Sequence, residues 1–255
     1  MPALPAEHTL DLPPPYRAIG LREVGDAFAE AVVVAPEQGA GTLVWTRRFD
    51  LVEVAVVLEP EELLATARRA FFAAMNASGD ALAAHCPPEK PITYGWPGSI
   101  RLDGGLIGGG RLAWPAQADE QAPPDWLVFG LMLRLMLPTE ARSPGWSASP
   151  DRTSLEAEGF EVLDAPALIG SFARHLMVQI DRWQADGFKS VGADYLARLE
   201  PEPGIAAKGM RRGIDANGDL LLHRPGQTGA AQRRLLMPAL DASDWLDRAT
   251  GEPLS

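Results

Sequence analysis

Hydrophobic positions along the chain fall into runs that alternate between strand-like and helix-like spacing. Ala29–Ala35 (AEAVVVA) is rich in β-branched residues and bounded by Pro36, which predicts a buried strand. A loop, 37–41, then leads to two further strands around Leu43–Trp45 and Leu51–Leu58. Glu59–Ser78 has helical spacing: Pro60, Glu61 and Glu62 suit a first turn, and Leu63, Ala67, Ala70, Phe71 and Ala74 form one apolar face, with Gly79 as the expected stop. Ser99–Leu102 and Leu106–Leu112 flank Asp103-Gly104-Gly105 and predict a hairpin, because Asp-Gly supplies the positive φ angles of a tight turn. Trp126–Leu137 is too continuously apolar for a half-exposed strand and predicts a central one, covered on both faces. Asp164–Gly187 predicts a long helix with Leu168, Phe172, Leu176, Ile180 and Trp183 on one face, followed by a shorter helix around Val191–Leu199.

The texture changes after Glu200-Pro201-Glu202-Pro203-Gly204, which reads as a linker. Ile205–Ile214 and Asp219–His223 predict two short strands joined through Asn217-Gly218, and Arg233–Leu240 predicts a third. The expected fold is α+β: a mixed sheet flanked by helices in residues 1–200, with a small β domain in 204–255. Fifty residues of short strands bury little alone, so this part is expected to lean on the larger one.

Composition narrows the function classes. The 255-residue chain has 46% hydrophobic and 22% charged residues, an ordinary globular balance that excludes a disordered or fibrous chain. Its net charge of −11 argues against nucleic-acid or anionic-membrane partners, which need a surplus of Lys and Arg. Cys86 is the sole cysteine, which fits a reducing compartment. The start of the sequence lacks the basic and apolar regions of a signal peptide, and the run Leu127–Leu137 is too short to span a bilayer, so a cytoplasmic location is expected. His8, His85, His175 and His223 show no metal-ligand spacing, so no metal site is expected.

Several stretches, in order, resemble the biotin–protein ligases and the wider biotin/lipoate ligase family. Val32–Trp45 (VVVAPEQGAGTLVW) resembles that family's strand, Gln-containing turn and Gly/Arg-rich ligand loop ending at a Trp. Gly95–Ile107 (GWPGSIRLDGGLI) resembles the Lys-Trp-Pro-Asn-Asp strand and the hairpin after it. Val128–Leu135 sits where the family has a Gly-Ile-Gly-Ile-Asn strand, and Thr153-Ser154-Leu155 resembles its Ser-Leu step. Arg212-Gly213-Ile214-Asp215 resembles its small C-terminal β domain.

The resemblance implies an enzyme that joins a carboxylate to AMP and passes the acyl group to a lysine of an acceptor protein. It implies biotin or lipoate as ligand, with ATP and Mg2+ only if adenylation survives. Two anions must meet in such a step, so cations have to offset their repulsion. This sequence departs at those positions: the ligand loop, Gly39–Leu43, has no arginine, the lysine before Trp-Pro is Gly95, and the hairpin lysine falls on Leu106. The ligand-binding candidates carried over are Gln38, Gly39, Gly41, Trp45, Trp96, Pro97 and Gly109. Arg47, Arg48, Arg111 and Arg134 are candidates for relocated cations, since arginine binds carboxylates in a two-pronged way. Cys86 is a candidate nucleophile with Lys90 nearby. Three readings follow: a ligase-like module that binds a small carboxylate or biotinyl/lipoyl-type group without adenylating it, an active ligase or acyltransferase with relocated arginines, and a non-catalytic interaction protein.

Overall fold

The computed structural model describes residues 10–137, 151–160, 164–201, 210–226 and 230–254. Its centre is a seven-stranded sheet in the order β1-β2-β3-β7-β6-β5-β4. The strands are β1 (Arg17–Leu21), β2 (Thr42–Thr46), β3 (Leu51–Leu58), β4 (Ile92–Gly95), β5 (Ser99–Leu102), β6 (Gly105–Ala113) and β7 (Leu127–Arg134). Only β1 and β2 pair in parallel; the other neighbours are antiparallel, so the sheet is mixed as expected. β7 lies at the middle and is buried along its whole length, as its unbroken apolar run predicts. The β5–β6 hairpin turns through Asp103 (φ 50°) and Gly104 (φ 85°), the positive angles that Asp-Gly favours.

The expected strand at 29–35 is instead part of helix α1 (Ala27–Gln38). Asp26 caps it by accepting from the Ala29 N–H at 2.9 Å. Ala27, Ala31 and Ala35, four residues apart, face the sheet, while Val33 is 72% exposed. The small residues rather than the valines form the buried stripe. Pro36 sits inside the helix in its last turn and removes one helical hydrogen bond there.

The helix expected over 59–78 is two helices, α2 (Leu64–Ala67) and α3 (Ala70–Ala83). Gly79 does not end α3. A Cβ there would lie 2.2 Å from the Tyr94 hydroxyl, so the glycine makes room for a buried ring. Helix α4 (Ala165–Asp186) stops at Gly187 as expected, though the Asp164 side chain makes no capping bond, and α5 (Phe188–Arg198) follows.

A second sheet, β10-β9-β8, comprises β8 (Arg211–Ile214), β9 (Leu220–His223) and β10 (Gln232–Arg234). Residues 205–209 of the first expected strand lie outside the described residues. The third expected strand is short and gives way to helix α6 (Leu236–Asp241), whose first N–H donates to Asp219 at 2.9 Å. Leu220, Leu222 and Leu236 join the main core.

Alternation gives the large sheet two faces. Val52, Val54, Val56, Phe129, Leu131 and Leu133 belong to the core with α3 and α4. On the opposite face α1 covers Val44, Ala55, Val57 and Val128, and Trp245 from the C-terminal segment covers Leu51, Leu106 and Met132. Among the described residues no helix is long and apolar enough to cross a membrane.

Candidate functional site

The turn between β4 and β5 carries Trp96 and Pro97, joined by a cis peptide. The Trp96 ring stacks on Phe72 at 5.8 Å, and the Tyr195 hydroxyl donates to the Pro97 carbonyl at 2.6 Å. Helices α3 and α5 therefore fix this turn from behind. In front of it is a cleft of about 290 Å³ between the large sheet's edge and the small sheet. Gly95, Trp96, Ser99 and Arg101 form one wall; Leu199, Met210, Leu220 and Leu222 form an apolar wall opposite. The Trp96 Nε1 and the Ser99 hydroxyl are buried without hydrogen-bond partners. A buried polar group normally has a partner, so these two are hydrogen-bonding capacity left at the cleft wall.

Among the described residues, three arginines and two carboxylates line the cleft: Arg101, Arg212, Arg234, Glu200 and Asp244. Arg212 is pinned to the end of α5, donating to the carbonyls of Leu196 at 2.9 Å and Leu199 at 2.6 Å. Arg101 donates to the Gly104 carbonyl at 2.9 Å and lies 3.7 Å from Glu200. This excess of one positive charge is absent from the sequence expectations, which looked for cations near the glycine loop. The available signal was spacing: Ser99 and Arg101 alternate on β5 with Gly95 paired to Ser99, so all three share a face.

The glycine-loop candidates lie elsewhere. Gln38 ends α1, Gly39 (φ 70°) caps it, and Gly41 leads into β2, with the Ala40 N–H on Glu59 at 3.1 Å. Val32–Trp45 is therefore a helix, a connection and a strand rather than a strand and ligand turn. The strand-to-strand turn on this side is Arg47–Asp50, between β2 and β3. Trp45 and Trp96 are not brought together. Four strand spacings separate β2 from β5, about 19 Å. Trp45 instead lines a second cleft, about 360 Å³, with Glu23, Arg47, Arg48, Phe49, Leu135 and Asp164–Pro166.

Of the relocated-cation candidates, Arg47 and Arg48 line the Trp45 cleft, Arg48 and Arg134 both meet the C-terminal segment, and Arg111 lies apart beside α1. Arg47 is exposed. Arg48 grips Asp50 with two bonds, at 3.0 and 2.7 Å, and Glu252 at 2.6 Å; these partners push its pKa up. Arg111 lies over the Phe28 ring at 4.4 Å and 3.6 Å from Asp26, with burial pushing its pKa down. Glu53 lies nearby on the same face, accepting from the Ala27 N–H at 2.9 Å and the Thr46 hydroxyl at 3.0 Å, and burial pushes its pKa up. Arg134 is 2% exposed and donates to the Pro253 carbonyl at 2.6 Å.

Gly109 sits in the middle of β6, opposite Met132 and Ser99. A Cβ there would lie 2.3 Å from the Gly98 carbonyl oxygen and 2.6 Å from the Trp245 indole, so the glycine serves close packing of chain against sheet. Leu106 is buried beneath the same tryptophan. Cys86 is half-buried, its Sγ 3.8 Å from the Lys90 carbonyl, and burial pushes the thiol up, away from the reactive thiolate. Lys90 is engaged with Glu158 and Asp103. Among the described residues no group of three His, Cys, Asp or Glu side chains is arranged to hold a metal ion.

A family model described as the biotin/lipoate A/B protein ligase family matches residues 12–197. Curated proteins give no match. Among solved structures, a biotin protein ligase-like protein of unknown function from Silicibacter sp. TM1040 is 27% identical, with TM-score 0.74, covering 91% of this chain and 99% of its own. Biotin protein ligase from Aquifex aeolicus, in complex with biotin and ATP, is 14% identical with TM-score 0.58, covering 86% and 95%. The Leishmania major enzyme in complex with biotinyl-5-AMP is 14% identical with TM-score 0.53, covering 86% and 99%.

Proposed function

Because the chain belongs to the biotin/lipoate A/B protein ligase family, we propose that it is a divergent member that binds a small monocarboxylate, of the biotinyl, lipoyl or fatty-acyl kind, without the ordinary ATP-dependent adenylation. The observation that carries this reading is the lining of the Trp96 cleft: one apolar wall, two unpartnered donors, and three arginines against two carboxylates. An apolar slot with a few fixed polar groups is the usual form of a small-molecule site. A surplus of one positive charge suits one carboxylate. It does not suit a carboxylate and a triphosphate together, and about 290 Å³ is at the small end for a single ligand of that class.

The residues present do not fit ATP beside the bound acid. No cation stands at Gly95 or Leu106, where the family resemblance calls for lysines. Restoring one at Gly95 meets an obstacle, since a Cβ there would lie 2.2 Å from the Ser99 hydroxyl. Losing one charge-assisted contact costs roughly 1.5–3 kcal/mol. That corresponds to one to two decades of rate for each lysine.

ATP–pyrophosphate exchange with biotin, lipoate and octanoate in turn tests the reading. No exchange, with measurable binding of at least one acid, is the expected result; robust exchange with any of them overturns it. A second reading, an active ligase or acyltransferase with relocated arginines, draws support from the exposed Arg47 in the β2–β3 turn beside Trp45. It predicts that exchange is present and that Arg47→Ala abolishes it. A purely structural interaction protein would bind none of the three acids.

A further inference from the structure

β1 is the outermost strand of the large sheet, paired with β2 along one side. The Arg17 N–H donates to the Gly41 carbonyl at 2.9 Å, and the Leu21 carbonyl accepts from the Arg47 N–H at 3.2 Å, so both ends of β1 turn their backbone toward β2. Backbone groups alternate sides along a strand paired in this way. Ala18 and Gly20 therefore aim two N–H donors and two carbonyl acceptors away from the sheet, and both residues are exposed. Natural edges are blunted by proline, lysine or a bulge. β1 has a continuous register and an Ala-Ile-Gly interior, so none of these blunts it.

Side chains along this edge reverse the sign of the chain. Net charge is −11, yet Arg17, Arg22 and Arg47 are all exposed here, with Glu23 as the carboxylate beside them. Arg17 begins the strand and is anchored on the Gln38 carbonyl. Arg47 lies against the other end, where a Cβ on Gly20 would meet its guanidinium at 3.2 Å. Glu23 and Phe49 line one cleft with Arg47, which brings the β1–α1 connection and the β2–β3 turn together at this end. Each carries an exposed apolar side chain, Val24 at 96% and Phe49 at 70%.

We propose that β1 is a docking edge, joined as an eighth strand by an acidic, extended segment of a partner protein. Ala18 and Gly20 supply the main-chain bonds, the three arginines select carboxylates, and Val24 and Phe49 receive an apolar side chain at the far end. Backbone bonding alone fixes no partner, because every extended segment offers the same groups; the charge pattern decides. A second copy of this chain is the poorer occupant, since isologous pairing of two such edges brings like arginines together. β4, beside the Trp96 cleft, is the opposite edge of the sheet, so the proposal stands without the carboxylate reading.

The test uses the full chain and a blocked peptide of three Asp-Val repeats, with a Lys-Val peptide of equal length as control. Amide hydrogen exchange reads the edge itself. Saturating Asp-Val peptide should slow exchange at Ala18 and Gly20 at least ~10-fold, and the Lys-Val peptide should not. Ala18→Pro removes an outward N–H without touching the β2 ladder. It should abolish peptide binding, read by fluorescence anisotropy, at an unchanged melting midpoint. Arg22→Glu/Arg47→Glu leaves the backbone intact and should weaken binding about 5-fold or more, which keeps the test open if the proline variant does not fold. No binding at millimolar peptide, equal binding of the two peptides, or edge amides left unprotected at saturation overturns the proposal. So does protection of both amides in a peptide-free chain that sediments as a dimer, which assigns the edge to a second copy.

Discussion

At the scale of single residues, the site is defined by which polar groups have partners and which do not. Arg101 lines the cleft from β5, and on the proposed reading it holds the carboxylate. Arg101→Gln should weaken octanoate binding by about 10-fold or more, the loss of one charge-assisted hydrogen bond. Octanamide binding should change little, and calorimetric titration of both ligands checks this. Gly109→Ala puts a methyl group 2.3 Å from a backbone oxygen and should cost about 1–3 kcal/mol, read from the urea midpoint.

Glu53 gives a pH prediction. Burial raises its pKa in the folded chain, so folding favours the protonated form. Its contribution to stability is best below the usual carboxylate range and declines as pH rises through the elevated folded value. Glu53→Gln should therefore raise the urea midpoint at pH 8 and remove the part of its decline that begins in the usual carboxylate range. A lowered midpoint at pH 8 would mean that the ion pairing around Arg111 outweighs desolvation.

Residue identity made part of this legible in advance. Arg134 was a candidate cation, and Trp96 and Pro97 were carried over as ligand-binding candidates. Arg101, Arg212 and Arg234 were not among the candidates, because a surface arginine and a cleft arginine look alike until two sheets are brought face to face.

At the scale of elements, periodicity placed β3, the β5–β6 hairpin, β7, α4 and α5 near their observed bounds, because each has either a long pattern or a strong turn signal. It failed on α1, where three consecutive valines suggested a strand and the buried stripe was made of alanines. The capping residue just ahead, Asp26, was the signal that favoured a helix. Asp26→Ala should cost about 0.5–2 kcal/mol in urea denaturation through the lost cap. The same change removes the carboxylate 3.6 Å from Arg111. Gly79 misled for a related reason: its role is to admit the Tyr94 hydroxyl, a contact invisible to local pattern.

At the scale of the whole molecule, tertiary packing converts a shared fold into a different site. The family's order of elements persists, but Val32–Trp45 supplies a helix and a strand where the resemblance implied a ligand loop. The small sheet contributes Leu220, Leu222 and two arginines to the Trp96 cleft, and Trp245 of the C-terminal segment covers Leu51, Leu106 and Met132. Neither arrangement was legible in the sequence, since both depend on contacts between segments more than 90 residues apart. What was legible was the missing charge at Gly95 and Leu106, and it is the reason to look for ligand binding rather than adenylation.

Calorimetric titration of biotin, lipoate and octanoate into the native chain and into Met210→Trp tests the central claim most directly. At least one acid should bind the native chain and lose at least ~10-fold in affinity when the tryptophan fills the cleft. Absence of binding to the native chain, or binding that Met210→Trp leaves unchanged, would contradict a carboxylate site beside Trp96.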